Sequence, residues 1–263
     1  MIPSPILKAL STIRTRQVDH LLMGGQACVL YGAAEFSRDL DLVLLPNPLN
    51  LDRLRAALGD LQAEVIAVPP FHLELLAEGL AVHFRCAHPD VAGLRIDVMT
   101  RMRGVAPFPD LWKRRTTFDF GEEKIDVLSL PDLIAAKKTQ RDKYWPMIRR
   151  LVDVHYTTYR QEPTADRVAF WLRELRTPEF LVEAARLPRT GTHTPSHTGA
   201  LEAATLDRPL LRSATPAGLE SGALARALRA EEDAERSADA EYWQPLRNKL
   251  ALLRRESRRS TKE

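Results

Sequence analysis

The residues of this chain best suited to chemistry are three aspartates and a pair of glycines: Gly24-Gly25, then Asp39 and Asp41, then Asp97. Asp39 and Asp41 sit in the run Arg38-Asp39-Leu40-Asp41-Leu42-Val43-Leu44-Leu45, and Asp97 in Leu94-Arg95-Ile96-Asp97-Val98-Met99. Apolar runs of this kind predict buried strands, and a buried acid is costly unless a cation or partner neutralises it. Residues two apart on a strand share a face, so Asp39 and Asp41 project together while Leu40 and Leu42 face a core. One more acid from a neighbouring strand completes an oxygen cage for Mg²⁺. Carboxylates this close resist joint ionisation without added positive charge, so three convergent acids predict metal rather than an acid/base pair.

The glycines supply the complementary part. A turn without Cβ atoms lets backbone approach phosphate oxygens, and a helix opening at Gln26 offers N–H donors and a favourable dipole. Ser37, two residues before Asp39, adds a hydroxyl to the same place. Two divalent cations about 4 Å apart can clamp the attacking and leaving oxygens of an in-line phosphoryl displacement. Metal, triphosphate and an acceptor hydroxyl are therefore the chemistry this pattern suits.

These residues must be positioned by alternating strands and helices. The sequence predicts a helix over 5–14, a strand over 21–23 that stops at the glycines, and a helix over 26–31. A second strand runs over 39–45 and is ended by Pro46-Asn47-Pro48, with helices over 51–61 and 72–78 behind it. Residues 81–86 and 94–99 read as a strand pair, and 116–120 with 124–128 as a hairpin around Gly121. Beyond residue 130 the pattern turns helical. Ser129 is an N-cap candidate and Pro131 an early helical position, followed by helices to about 140 and over about 143–159 and 165–175. Residues 177–222 are rich in Pro, Thr, Gly, Ser and His and predict a linker or loop; a charged helix follows over about 222–258.

At 263 residues, 44% hydrophobic and 28% charged, the chain has the composition of an ordinary globular protein of one or two domains. A net charge of +3 is compatible with nucleotide or nucleic-acid partners without arguing for them. Cys28 and Cys86 lie in no metal or redox spacing, no stretch approaches the roughly 20 apolar residues that span a bilayer, and the N-terminus lacks a signal-peptide pattern. The expectation is a cytoplasmic protein with no membrane partner.

The order Met23-Gly24-Gly25-Gln26-Ala27, then Ser37-Arg38-Asp39-Leu40-Asp41-Leu42, then Ile96-Asp97-Val98 resembles the nucleotidyltransferase superfamily typified by DNA polymerase beta. Within it, the chain is most similar to the minimal and abortive-infection-toxin-like bacterial nucleotidyltransferases. Pro131-Asp132-Leu133-Ile134-Ala135-Ala136-Lys137 is similar to the helix that follows their catalytic sheet. The resemblance covers roughly residues 18–155. It implies an α+β fold, a small mixed sheet backed by helices with a helical C-terminal appendage. Its parts would be a catalytic core over 1–130, a helical extension packing on it over 131–176, the linker over 177–222 and a charged helix over 223–263.

It also implies Mg²⁺-dependent transfer of a nucleoside monophosphate from a triphosphate, with two ions, or Mn²⁺, held by Asp39, Asp41 and Asp97. Gly24, Gly25, Ser37 and Lys137 would bind the nucleotide. The acceptor would be RNA such as a tRNA end, with an antitoxin partner, or a small hydroxylated molecule. Two positions depart from the pattern. Glu35 stands where relatives commonly carry a basic residue, and Tyr144 where they often carry an acid. They keep open a second expectation, a non-catalytic nucleotide-binding or protein-interaction module on the same fold.

Overall fold

In the computed structural model, residues 3–121, 123–187 and 221–260 are described. The sheet holds seven strands: β1 (His20–Met23), β2 (Asp39–Leu44), β3 (Ala63–Val65), β4 (Val82–Cys86), β5 (Arg95–Met99), β6 (Thr116–Asp119) and β7 (Lys124–Val127). Their order is β3-β4-β5-β2-β1-β7-β6. Pairing is mixed: β2 with β5 and β1 with β7 are parallel, and the other neighbours antiparallel.

Alternation decides which face is core. Leu40 and Leu42 of β2 are 0% exposed, and their cross-strand partners Leu22, Ile96 and Val98 are equally buried. Helices α1 (Ser4–Thr15), α2 (Gly24–Leu30), α3 (Pro48–Asp60), α4 (Leu73–Ala77), α5 (Phe108–Lys113) and α6 (Leu130–Lys137) accompany the sheet. On α1, Ile6, Ala9, Leu10 and Ile13 are buried, the spacing of one helical face. The side chain of Asn47 caps α3 by accepting from Asn50 N–H at 2.7 Å, and Pro48 fills its first position. Ser129 accepts from the Asp132 N–H at 3.3 Å, which opens α6. The expected α+β architecture, a mixed sheet backed by helices with a long C-terminal helix, is what the chain adopts.

The chain divides into two compact units, one of residues 1–137 with 239–263 and one of residues 138–238. The second contains α7 (Tyr144–Tyr159), α8 (Ala165–Glu174), α9 (Pro178–Arg186) and the first part of α10 (Ser221–Ser260). Its core holds Trp171, whose indole N–H donates to His155 Nδ1 at 2.9 Å and whose ring meets Tyr156 edge-on at 5.0 Å.

Among the described residues, β3, α5 and α9 lie where the sequence predicts no strand or α-helix. β3 is too short to alternate and exists by pairing with β4; α5 is a six-residue helix after Pro107. α9 occupies the start of the expected linker, because Pro178 and Glu179 suit a helix's first turn and Leu181 and Ala184 bury one face. The remainder of that linker, 188–220, lies outside the described residues. Among the described residues no helix is long and apolar enough to cross a membrane.

Candidate active site

The site is built on β2, β5 and the turn after β1. In the parallel β2/β5 register Asp41 lies opposite Asp97 and Asp39 opposite Arg95, while Met23 lies opposite Asp41 from β1. His83 of β4 lies opposite Asp97 on the other side. Directly opposed residues share a sheet face, so Asp39, Asp41, Asp97, Arg95 and His83 form one polar patch on the face away from Leu40 and Leu42.

Asp41 is packed against the glycine turn. The Gly25 N–H donates to Asp41 Oδ2 at 3.3 Å, and a Cβ on Gly24 would stand 1.9 Å from that same oxygen. Gly24 also has φ +67, the left-handed region glycine favours. A Cβ on Gly25 would stand 2.3 Å from Ser37 Oγ. The loop carrying Ser37 is fixed by Gln26, whose buried amide donates to the Ser37 carbonyl at 2.7 Å. The two glycines thus bring an acid from β2 and a hydroxyl from the preceding loop against one turn.

Lys137 joins them from α6. It shares the helical face of Leu133 and Ile134, is only 6% exposed, and interacts with Asp41 and with the Cys28 thiol of α2. Cys28 is buried and its Sγ lies 3.2 Å from the Gly24 carbonyl. Burial pushes that thiol up, and the Lys137 charge partly offsets the rise.

Asp41 and Asp97 have opposite electrostatics. Burial, then the Asp97 charge, pushes the Asp41 carboxyl up to about 6; Asp39 adds to this, and the Gly25 N–H and Lys137 oppose it. Burial also acts to raise Asp97, but His83 and Arg95 together outweigh it and hold that carboxyl below the ordinary range. Arg95 Nε donates to Asp97 Oδ1 at 2.7 Å, and His83 Nδ1 lies 2.9 Å from the same oxygen. Sequence reasoning named neither His83 nor Arg95 as part of the site. The spacing Arg95-x-Asp97 placed the arginine on the correct face, whereas His83 becomes visible only through the β4/β5 register.

Among the described residues no three His, Cys, Asp or Glu side chains are gathered as a ready metal cluster. Asp97 is engaged by Arg95 and His83, and Asp41 by the turn. In kind, the donors fit a hard divalent cation: three carboxylates on one face, one with its proton affinity raised by burial and then by the Asp97 charge. Tyr144 belongs to the second unit, where its hydroxyl lies 3.1 Å from Arg141 Nη1.

No family model matches the chain, and no curated protein matches it. A solved structure from H. pylori, provisionally described as a nucleotidyltransferase, is similar over 91% of this chain and 98% of its own, at 12% identity and a TM-score of 0.38. A likeness that distant carries no argument, and the site stands on its own residues.

Proposed function

We propose that the chain is a Mg²⁺-dependent nucleotidyltransferase, acting in the cytoplasm, that moves a nucleoside monophosphate from a nucleoside triphosphate to an acceptor hydroxyl. The observation that carries this is the register that sets Asp41 opposite Asp97 while the Gly24-Gly25 turn closes on Asp41 and, from its other side, on Ser37. Asp39, Asp41 and Asp97 would hold the metal, as two Mg²⁺ or Mn²⁺ ions. Bound there, the metal would supply Lewis-acid stabilisation of the attacking and leaving oxygens. Gly24 and Gly25 would admit the triphosphate to the backbone, Ser37 would donate its hydroxyl, and Lys137 would supply positive charge beside Asp41. The acceptor hydroxyl would give its proton to a carboxylate of this set as its oxygen gains a bond to the α-phosphorus, the bond from that phosphorus to the bridging β-phosphate oxygen breaks, and pyrophosphate leaves. The acceptor is RNA, such as a tRNA end modified by a toxin with an antitoxin partner, or a small hydroxylated molecule.

Incubation with labelled triphosphates, total cellular RNA and Mg²⁺ tests this reading. Label should enter an acceptor with the native chain and not with Asp39→Asn/Asp41→Asn, whose circular dichroism should match the native chain. Transfer retained by the double variant would refute the assignment.

One observation favours a second reading. Arg95 and His83 both occupy Asp97 Oδ1, so one of the three acids is already neutralised. Together with Glu35 and Tyr144, this suits a non-catalytic nucleotide-binding or protein-interaction module. Calorimetry with each triphosphate separates the two: metal-dependent binding without turnover on any acceptor selects the module.

A further inference from the structure

The last turns of α10 gather their unpaired arginines on one side. Between Leu246 and Ser260 the helix holds Arg247, Lys249, Arg254, Arg255, Arg258 and Arg259 against a single acid, Glu256. At 100° per residue, Arg254, Arg255, Arg258 and Arg259 fall within an arc of roughly 140°. The packed side of the helix is the other one. Leu246 is buried, the Tyr242 hydroxyl stands 3.0 Å from where a Gly79 Cβ would be, and Lys249 pairs with Glu78. Leu246 and Lys249 are centred roughly opposite the arginine arc by the same helical geometry, and Glu256 lies outside it.

A solvated helix end accounts for part of this, since cations in the last turn suit the helix dipole. That effect fades within one turn, and Arg254 and Arg255 stand more than a turn before Ser260. Nor does ion pairing explain the cluster: Arg254, Arg255, Arg258 and Arg259 make no ion pair with any described acid, and all four are exposed. Beside them Leu252 is 56% exposed. Unpaired like charges on neighbouring turns repel one another; salt screens part of that repulsion, and a bound polyanion, whose phosphates replace the small counter-ions, lowers it further. The guanidinium is also the side chain best shaped to grip phosphate oxygens in pairs.

We propose that this arginine face is a docking surface for the phosphate backbone of an RNA strand. The inference rests on the nucleotidyltransferase reading for its choice of RNA, and on the arginine arc for the contact itself. Such a surface contacts phosphates and carries no base specificity, so it holds a strand without selecting its sequence.

The test is fluorescence anisotropy of a labelled single-stranded RNA oligomer with the full chain, across a series of salt concentrations. The native chain should bind with an affinity that falls steeply with salt. In Arg254→Gln/Arg255→Gln/Arg258→Gln/Arg259→Gln the slope of log affinity against log salt should shrink by about 3, four contacts at about 0.7 each. The matching quadruple Arg→Lys variant should keep most of the slope, and circular dichroism should show that neither set of changes unfolds the helix. An unchanged slope in the Gln variant overturns the proposal. So does a native chain that binds vesicles of phosphatidylcholine and phosphatidylserine, or an acidic protein, but not RNA. Salt-sensitive docking without label transfer by the native chain sinks the catalytic reading and leaves the RNA surface standing.

Discussion

Gly24→Ala isolates the contact on which the candidate site is built. A Cβ at this position would stand 1.9 Å from Asp41 Oδ2, 2.3 Å from its Cγ and 2.5 Å from its Cβ. Side-chain rotation could move the carboxyl oxygen, but the Asp41 Cβ is fixed by a strand paired on both sides. Either β2 or the turn must therefore shift. Overpacking of that kind costs about 1–3 kcal/mol. The residue must also hold φ +67, which costs a residue with a Cβ about 1–2 kcal/mol. Together the loss comes to roughly 2–5 kcal/mol. Gly25→Ala is the internal control: its obstacle is Ser37, in a loop, and its φ is not positive. That variant should lose about 1 kcal/mol, the low end for overpacking. Urea unfolding with linear extrapolation measures both, provided the slope is unchanged. A Gly24→Ala protein as stable as the native chain, or less damaged than Gly25→Ala, would refute the geometry.

Two further expectations concern pH. The Asp41 carboxyl, at about 6 when folded, is raised above its unfolded value, so its stabilising effect is full below about 4 and is lost as pH rises through 6. In chelator the native chain should lose up to about 3 kcal/mol over that window, and Asp41→Asn should flatten this component; identical pH profiles for the two would contradict the burial and charge argument. His155 has the opposite sign. Burial, with the Arg167 charge, pushes its imidazole down to about 4, so stability is full above about 6.5 and is lost as pH falls toward 4. Thermal unfolding of the native chain should show a loss of stability between pH 6.5 and 5 that His155→Phe lacks.

Much of the site was legible because it is local. Period-two alternation in Asp39-Leu40-Asp41-Leu42 fixes which residues face the core, and Leu40 and Leu42 are indeed fully buried. The glycine pair, the Ser129 cap and the main helix bounds follow from turn and capping chemistry that acts over a few residues. Other features were not local. β3 has no pattern of its own and is defined by its partner strand. Lys137 and Lys138 look alike in sequence. One is nearly buried beside Asp41 and Cys28, while the other pairs with Glu174 in the second unit, because α6 ends at Lys137 and the chain leaves the helix at Lys138.

The sequence alone determined that Asp39 and Asp41 share a face, that an acid-bearing strand follows at Asp97, and that glycine stands where backbone must approach closely. Only the tertiary structure decided that β5 lies parallel to β2 with Asp97 opposite Asp41. A slip of one residue would have sent Asp97 into the apolar layer, and no short-range rule sets the pairing of strands more than fifty residues apart. It likewise decided that Arg95 and His83 converge on Asp97 while Gly25 and Lys137 converge on Asp41. The electrostatics of an acid depend on which charges fold brings near it, and those neighbours come from other strands and helices.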